Sequence, residues 1–265
     1  MEDETNALLA LATTAASEAA AFIVAGLATA RTLIDTKTTG TDMVTEMDRA
    51  SEALILGRLA AARPDDAILG EEGTDRPGTT GVRWIVDPID GTTNYLYGHA
   101  GFAVSIAAEI NGQVSVGVVH DPLHGEVFTA IRGKGAFRNG TPIHASNESD
   151  LSHALVATGF SYEPDRRRRQ VAVLGSLIGS IRDIRRMGAA SVDLCSVACG
   201  RVDAYYERGL QPWDHAAGAL IAIEAGAIVE NLVGGPPEFE FCLAATPALF
   251  APLRELLLDA DAGNA

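Results

Sequence analysis

Apolar residues recur at two periods along this chain, and the period changes near residue 67. Leu8, Leu9, Leu11, Phe22, Ile23 and Leu27 fall at helical spacing and predict a helix over 5–31. A loop carrying Lys37 and Gly40 follows, then a second helix over 44–59 that stops before Pro64. Beyond it the apolar runs shorten and are bounded by Gly, Pro or acids. Residues 67–69 and 84–86 therefore read as buried strands, and 102–110, 113–120 and 126–131 as three more. Asn111-Gly112 between two such runs signals a hairpin, and Pro122-Leu123-His124-Gly125 a second turn. Gly133-Lys134-Gly135 and Asn139-Gly140 mark two further turns, so an antiparallel meander is expected here.

The second half alternates. Strands are expected over 154–158, 181–185, 203–207, 227–230 and 241–244. Helices are expected over 166–178, 190–199, 214–225 and 247–258. Strands alternating with helices imply an α/β class. Residues 261–265 are expected to fray. No repeat or linker interrupts the chain. It reads as one domain over 1–265, with a first α+β lobe to about 150 and an α/β lobe over 151–260.

Composition narrows the class. The chain has 265 residues, 47% of them hydrophobic, enough for a large core. A net charge of −15 argues against nucleic acid and anionic membranes as partners. It also means that an anionic substrate needs a local inversion of the field, which bound dications supply. The acidic start Met1-Glu2-Asp3-Glu4 lacks the basic region of a signal peptide, and the apolar run 19–30 is short for a bilayer and mostly alanine. Three cysteines, Cys195, Cys199 and Cys242, form no disulfide framework and suit a reducing cytoplasm.

The candidate chemistry lies in Val86-Asp87-Pro88-Ile89-Asp90-Gly91-Thr92-Thr93-Asn94. Asp87 ends an apolar strand, where open sheets present ligands. Pro88 fixes the turn, which brings both carboxylates to one side and leaves the Ile89 carbonyl as a further oxygen ligand. Mg²⁺ takes such hard oxygen donors. Thr92 and Thr93 are expected as helix N-caps whose N–H groups face an anion. The segment alone equally fits a capped turn with solvated aspartates. Glu71 and Glu72 after a short strand, and Asp214 at a helix start, have similar plain readings as an acidic turn and a cap. Three acidic segments at strand ends or helix starts are better explained together, as one cation cluster.

Gly70-Glu71-Glu72, Asp87-Pro88-Ile89-Asp90-Gly91-Thr92 and Trp213-Asp214-His215-Ala216-Ala217-Gly218 resemble, in order and spacing, the signature motifs of the inositol monophosphatase family. The likeness runs from Asp42-Met43-Val44-Thr45-Glu46-Met47-Asp48 through 133–140 to Asp203-Ala204-Tyr205-Tyr206-Glu207. The resemblance implies a layered αβαβα fold shared with fructose-1,6-bisphosphatases. It implies a lithium-sensitive, Mg²⁺-dependent phosphomonoesterase, a cytoplasmic homodimer with two to three ions per subunit. Glu71, Asp87 and the Ile89 carbonyl would hold one ion, and Asp87, Asp90 and Asp214 a second. Gly91, Thr92 and Thr93 would cradle phosphate. Asp48 would hydrogen-bond Thr92, and with Glu71 they would activate the attacking water. Glu207 and the backbone at Ala190 would meet the hydroxyls of a polyol such as inositol 1-phosphate. Fructose 1,6-bisphosphate, histidinol phosphate and nucleotide phosphates are alternative substrates within the same resemblance.

Other features weigh less. Arg166, Arg167, Arg168 and Arg169 follow Pro164-Asp165 and read as a solvated helix face or subunit contact. They are also the sole sequence support for a rival, a regulatory protein binding RNA polymerase or ribosomal-RNA-processing factors. Asp121-Pro122 breaks any helix between His120 and His124, which argues against a zinc site there. His215 reads as packing beside Asp214, and Cys195 and Cys199 as core.

Overall fold

The computed structural model describes the backbone of residues 2–34 and 40–265, and the side chains of 2–27 and 46–265. The expected loop at Lys37 and the side chains of Asp42 to Thr45 lie outside these. Helix α1 spans Glu2–Ile34 and α2 spans Gly40–Ala62. Both exceed the predicted bounds, because residues such as Glu2 to Glu4 and Ala60 to Ala62 fit a helix although the stripe of large apolar residues does not mark them.

Eight strands form the first sheet: β1 Ala67–Gly70, β2 Asp75–Arg76, β3 Val82–Asp90, β4 Ala103–Ile110, β5 Gln113–Asp121, β6 Glu126–Ile131, β7 Ala136–Arg138 and β8 Thr141–Ile143. Their order is β2-β1-β3-β4-β5-β6-β7-β8. From β3 onward this is the expected antiparallel meander, and β1 joins it parallel to β3. The hairpin turn at Asn111 and Gly112 has positive φ at both residues (51° and 82°), which suits the right-handed twist of its strands. A short helix, α3 Thr92–Tyr97, follows β3.

The second sheet is β9 Leu155–Thr158, β10 Asp183–Arg185, β11 Ala204–Glu207, β12 Ile228–Glu230 and β13 Cys242–Ala245, in the order β10-β9-β11-β13-β12. Helices α4 Pro164–Leu177, α5 Ala190–Ala198, α6 Pro212–Glu224 and α7 Pro247–Asp259 alternate with these strands.

Strand alternation assigns the layers. Trp84, Val86, Val104, Ile106 and Val118 point to one face of the first sheet and pack on Leu8, Ala12, Ala19 and Ile23 of α1 and Ile55 and Leu59 of α2. Ile85, Ala103, Ala107, Val119 and Phe128 point to the other face and meet α5 and α6. Beyond those helices lie Ala157, Tyr205 and Ala244 of the second sheet. Its far face, with Val156, Tyr206 and Leu243, is covered by Val173 of α4 and Leu249, Leu253 and Leu257 of α7. The result is the αβαβα order the resemblance implies.

By length and composition α1 is able to cross a membrane, so the short span of 19–30 was too narrow a measure. Its apolar face instead covers the first sheet, and the buried positions along it are chiefly alanine. The segment 261–265 does not fray. Ala262–Asn264 forms a 3₁₀ turn with Ala262 and Ala265 buried, because it covers the apolar edge at Leu232 and Phe241.

Small residues set the position of α6. A Cβ on Gly117 of β5 would stand 2.8 Å from the Ala217 carbonyl oxygen, and one on Gly218 would stand 2.8 Å from Leu194 Cβ of α5. The Ala-Ala-Gly tail of the Trp213-Asp214 motif therefore lets α6 lie close between sheet and helix, and Asp214 is carried at its first turn.

Asp66, fully buried before β1, accepts hydrogen bonds from Trp84 Nε1 (2.9 Å), Thr80 Oγ1 (2.6 Å) and Arg63 Nε. Asp66→Ala strands the buried indole N–H and is expected to cost about 2–4 kcal/mol, with Asp66→Asn costing less. Urea denaturation measures both, and an unchanged midpoint for Asp66→Ala would contradict this role.

Candidate active site

Asp87 and Asp90 are three residues apart, an odd separation that puts side chains on opposite faces of a regular strand. Here Asp87 pairs with Ser105 and Asp90 with Ala103, so three steps on β3 match two on β4. This bulge at Pro88 turns both carboxylates to the α5–α6 side and sends Ile89 into the core below. Pro88 supplies no N–H to the ladder, and its carbonyl accepts Ser51 Oγ of α2. The strand thus extends through the segment expected to be a turn.

The start of α6 completes the cluster. Gln211 is its N-cap and Asp214 its third residue, with an Asp214 carboxylate oxygen accepting the Gln211 N–H at 2.6 Å. Ser105 Oγ donates to the Trp213 carbonyl at 3.2 Å and ties this end to β4. One oxygen each of Asp87, Asp90 and Asp214 lies within 4.8 Å of the others. Asp87 and Asp90 are buried and Asp214 half-buried.

Glu71 joins from the end of β1, and one of its oxygens is buried without a partner. Its neighbour diverges. Glu72 turns outward to Arg49 (3.5 Å) while its N–H donates to Glu52. Glu52 also accepts Thr74 Oγ1 at 2.6 Å and so holds this loop. Asp48, Ser51 and Glu52 are three, then one, residues apart on α2 and share its buried face. One Asp48 oxygen is likewise buried without a partner.

The expected Asp48–Thr92 hydrogen bond is not formed. Thr92 is the first residue of α3, and its hydroxyl folds back to donate to the Ile89 carbonyl at 3.1 Å. That carbonyl is therefore shared rather than free, with a second lone pair remaining. Nor are Thr92 and Thr93 caps. Gly91 is the N-cap, in left-handed conformation (φ 88°), where a Cβ would strike the Gly101 carbonyl at 2.7 Å. The Thr92 and Thr93 N–H groups occupy the first turn, without intrahelical partners. Thr93 Oγ1 lies 3.3 Å from the Tyr162 hydroxyl.

Electrostatics follows from this crowding. Burial, then the charge of Glu71, pushes Asp87 well above the ordinary carboxylate range. Burial raises Glu71 to about 7, and it raises Asp214 to about 8 with help from Asp90. Asp48 reaches about 8 through burial and then Glu71. Asp90 is raised less freely, because Ser191 N and Oγ donate to it at 2.7 and 2.5 Å and the Ala190 and Gly91 amides add to them. Ala190, expected to face a substrate, thus also serves Asp90. Ser191 carried no sequence signal beyond its place next to Ala190.

A cavity of about 300 Å³ opens over the cluster. Glu71, Asp87, Asp90, Thr92, Asp214, Glu207, Arg166 and Arg186 line it, and Glu207 feels the charges of Arg186 and Asp90. Glu207 accepts the Tyr205 hydroxyl at 2.7 Å, and burial raises it to about 7. The arginine run divides. Arg167 donates to the Ser161 and Tyr162 carbonyls and Arg168 pairs with Asp165, while Arg166 turns into the cavity against the Phe239 ring, 5.6 Å from its centroid. The solvated-face reading fails for Arg166, because Phe239 comes from a distant loop that periodicity does not reveal. His215 is half-buried and held down to about 4 by burial, a packing residue as expected. Cys195 and Cys242 are buried and Cys199 half-buried, and all three are free.

Comparison with known proteins fits this geometry. The model for the family described as "Inositol monophosphatase family" matches residues 4–260. An inositol-1-monophosphatase of Mycobacterium leprae is 44% identical over 86% of this chain and 85% of its own length. The Nus factor SuhB of Pasteurella multocida is 41% identical over 87% of each. The solved inositol monophosphatase of Anabaena superposes with a TM-score of 0.85 at 37% identity, covering 96% of both chains. Mycobacterium tuberculosis SuhB gives 0.84 at 40% identity over 97% of both. With its layers, its converging acids and its whole-length match, the chain belongs to the inositol monophosphatase family.

Proposed function

We propose that this protein is a Mg²⁺-dependent phosphomonoesterase acting on inositol 1-phosphate or a close polyol relative. The convergence of Asp87, Asp90 and Asp214 within 4.8 Å carries the reading. The donor set fits a hard dication. It offers carboxylates and one main-chain carbonyl, and the unpartnered buried Glu71 oxygen is an acceptor for which the described residues supply no donor. Glu71, Asp87 and the Ile89 carbonyl would hold one ion and Asp87, Asp90 and Asp214 another, with a third held loosely at Glu71. Such ions lower the pKa of water and neutralise charge on the phosphoryl oxygens.

The chain's own groups do the remaining work. The amides of Gly91, Thr92 and Thr93 receive the phosphate oxygens. Glu71 is placed to take a proton from the attacking water, and Thr92 orients that water through its hydroxyl. Asp48 lies near enough to Glu71 to be raised by its charge. Glu207, steadied by Tyr205, accepts from hydroxyls of the leaving alcohol. The free cysteines support a cytoplasmic setting. A homodimer and lithium inhibition rest on the family resemblance. Sedimentation and initial rates in LiCl test them, and kcat/KM across inositol, histidinol, fructose and nucleotide phosphates tests the substrate.

A second reading draws on relatives named Nus factor, namely a role in transcription beside catalysis. The exposed Arg167, Arg168 and Arg169 are its local support. Reversing those three charges is expected to abolish co-purification with RNA polymerase while sparing phosphatase turnover. Retained co-purification would exclude this face.

Asp90→Asn is expected to lower kcat by about a hundredfold or more in a phosphate-release assay. Turnover that stays normal and Mg²⁺-dependent would contradict the assignment. The pH response follows from the raised acids. Without a cation the folded chain binds more protons than the unfolded chain between the ordinary carboxylate range and about 7–8. These groups therefore remove stability as pH rises through that window, and a dication restores it. The Tm gain from millimolar Mg²⁺ is expected to grow from about pH 5 to about pH 8, and a gain independent of pH would count against the cluster.

A further inference from the structure

Glu207 ends β11, and the turn that follows it has three ties. The Tyr205 hydroxyl donates to the Glu207 carboxylate at 2.7 Å, and Gly209 N–H donates to the Phe239 carbonyl at 2.7 Å. The third tie comes from the far end of the described chain. Arg208 Nη1 donates to the main-chain oxygen of Ala265 at 2.5 Å.

That acceptor is well anchored. Asp261 adopts a left-handed conformation (φ 55°) and accepts Asn264 Nδ2 at 2.7 Å, which closes the turn. Ala262 and Ala265 are 2% and 5% exposed, packed in the cluster that holds Tyr206, Phe241 and Leu253. The Arg208 side chain lines the active-site cavity on one side and a small cleft shared with Ala262 and Ala265 on the other. Its Nε is buried without a partner, so among the described residues the Ala265 oxygen is what fixes the guanidinium.

We infer that Arg208 is a positioning residue for recognition of the leaving alcohol, and that the 261–265 turn acts through it on Glu207. The inference rests on the reading of Glu207 as the acceptor of substrate hydroxyls. Without the Ala265 tie the turn after β11 keeps only two of its three anchors. The adjacent Glu207 carboxylate is then held less firmly where substrate hydroxyls would reach it. The acids that would hold a cation keep their own anchors, Ser191 for Asp90 and the α6 cap for Asp214.

The test compares inositol 1-phosphate with phenyl phosphate, whose leaving group carries no further hydroxyl. Arg208→Met is expected to raise KM for inositol 1-phosphate about five- to tenfold, with kcat within about twofold and phenyl phosphate kcat/KM unchanged. Arg208→Lys keeps a donor for Ala265 and is expected to recover most of the loss. A chain shortened to Ala260 should reproduce Arg208→Met, and Arg208→Met should add nothing in a Glu207→Ala background. An equal loss on both esters would overturn the inference, as would a shortened chain with normal KM. If Glu207→Ala itself leaves KM for inositol 1-phosphate unchanged, the recognition role of Glu207 fails. If the unsubstituted protein hydrolyses neither ester, the phosphatase reading fails.

Discussion

Carboxylates repel one another most where water is excluded, and this protein gathers several of them at the edge of its middle layers. Asp87, Asp90 and Asp214 each contribute an oxygen within 4.8 Å, with Glu71 close enough to feel the charge of Asp90 and Asp48 that of Glu71. Left to themselves they relieve the repulsion by holding protons, and every one of them is raised. The surrounding structure resists any other relief. Asp90 is fixed by Ser191 and two further amides, Asp214 by the cap of α6, and Asp87 by the Ile89 N–H at 3.0 Å. A cluster that is costly and yet rigidly held is what a cation site needs. The ordering is supplied by the fold rather than by the ion.

The same constraint explains local departures from regular structure. The extra residue at Pro88 weakens the β3–β4 ladder but brings two acids to one face. Gly117 and Gly218 contribute no packing of their own but let α6 lie close enough to deliver Asp214. Gly91 takes a conformation that other residues resist, so that α3 starts beside the acids with its first amides unpaired. Irregularity is concentrated where chemistry requires it, while the layers behind follow ordinary strand alternation.

That distribution decides what was legible in the sequence. The meander was readable because period-2 runs were separated by Asn111-Gly112 and similar turns, and each strand buried a distinct set on each face. The four acids at the site were readable as types at strand ends and helix starts. Their convergence was readable too, as one cation cluster, but the device was not: a turn at Pro88 was expected, and the bulge found there depends on register with β4. Caps misled for the same reason. Thr92 and Asp214 looked like caps by type, but Gly91 and Gln211 hold those positions once the chain direction is set by tertiary contacts. Ser191, Glu52 and Arg166 act across distant elements, and no local pattern marks them. The turn at 261–265 looked like a tail because its alanines carry little hydrophobic signal, yet two of them are buried.

Charge arrangement along the cavity gives the polarity of the site. In a chain of net charge −15, Arg166 and Arg186 line the same cavity as Asp87, Asp90 and Asp214. Arg166 is kept there by the Phe239 ring, and its pairing with Glu163 is loose at 3.9 Å. Under the proposed function, an anionic ester entering the cavity would meet these arginines as well as the bound dications. Glu207 feels the charges of both Arg186 and Asp90, and its carboxylate is the group least compatible with a phosphate and most compatible with hydroxyls. Under the proposed function, this arrangement distinguishes the two ends of one ester, with the phosphate drawn to the Gly91–Thr92 amides and the alcohol left beside Glu207. The orientation needed for attack would thereby be set before any proton moves.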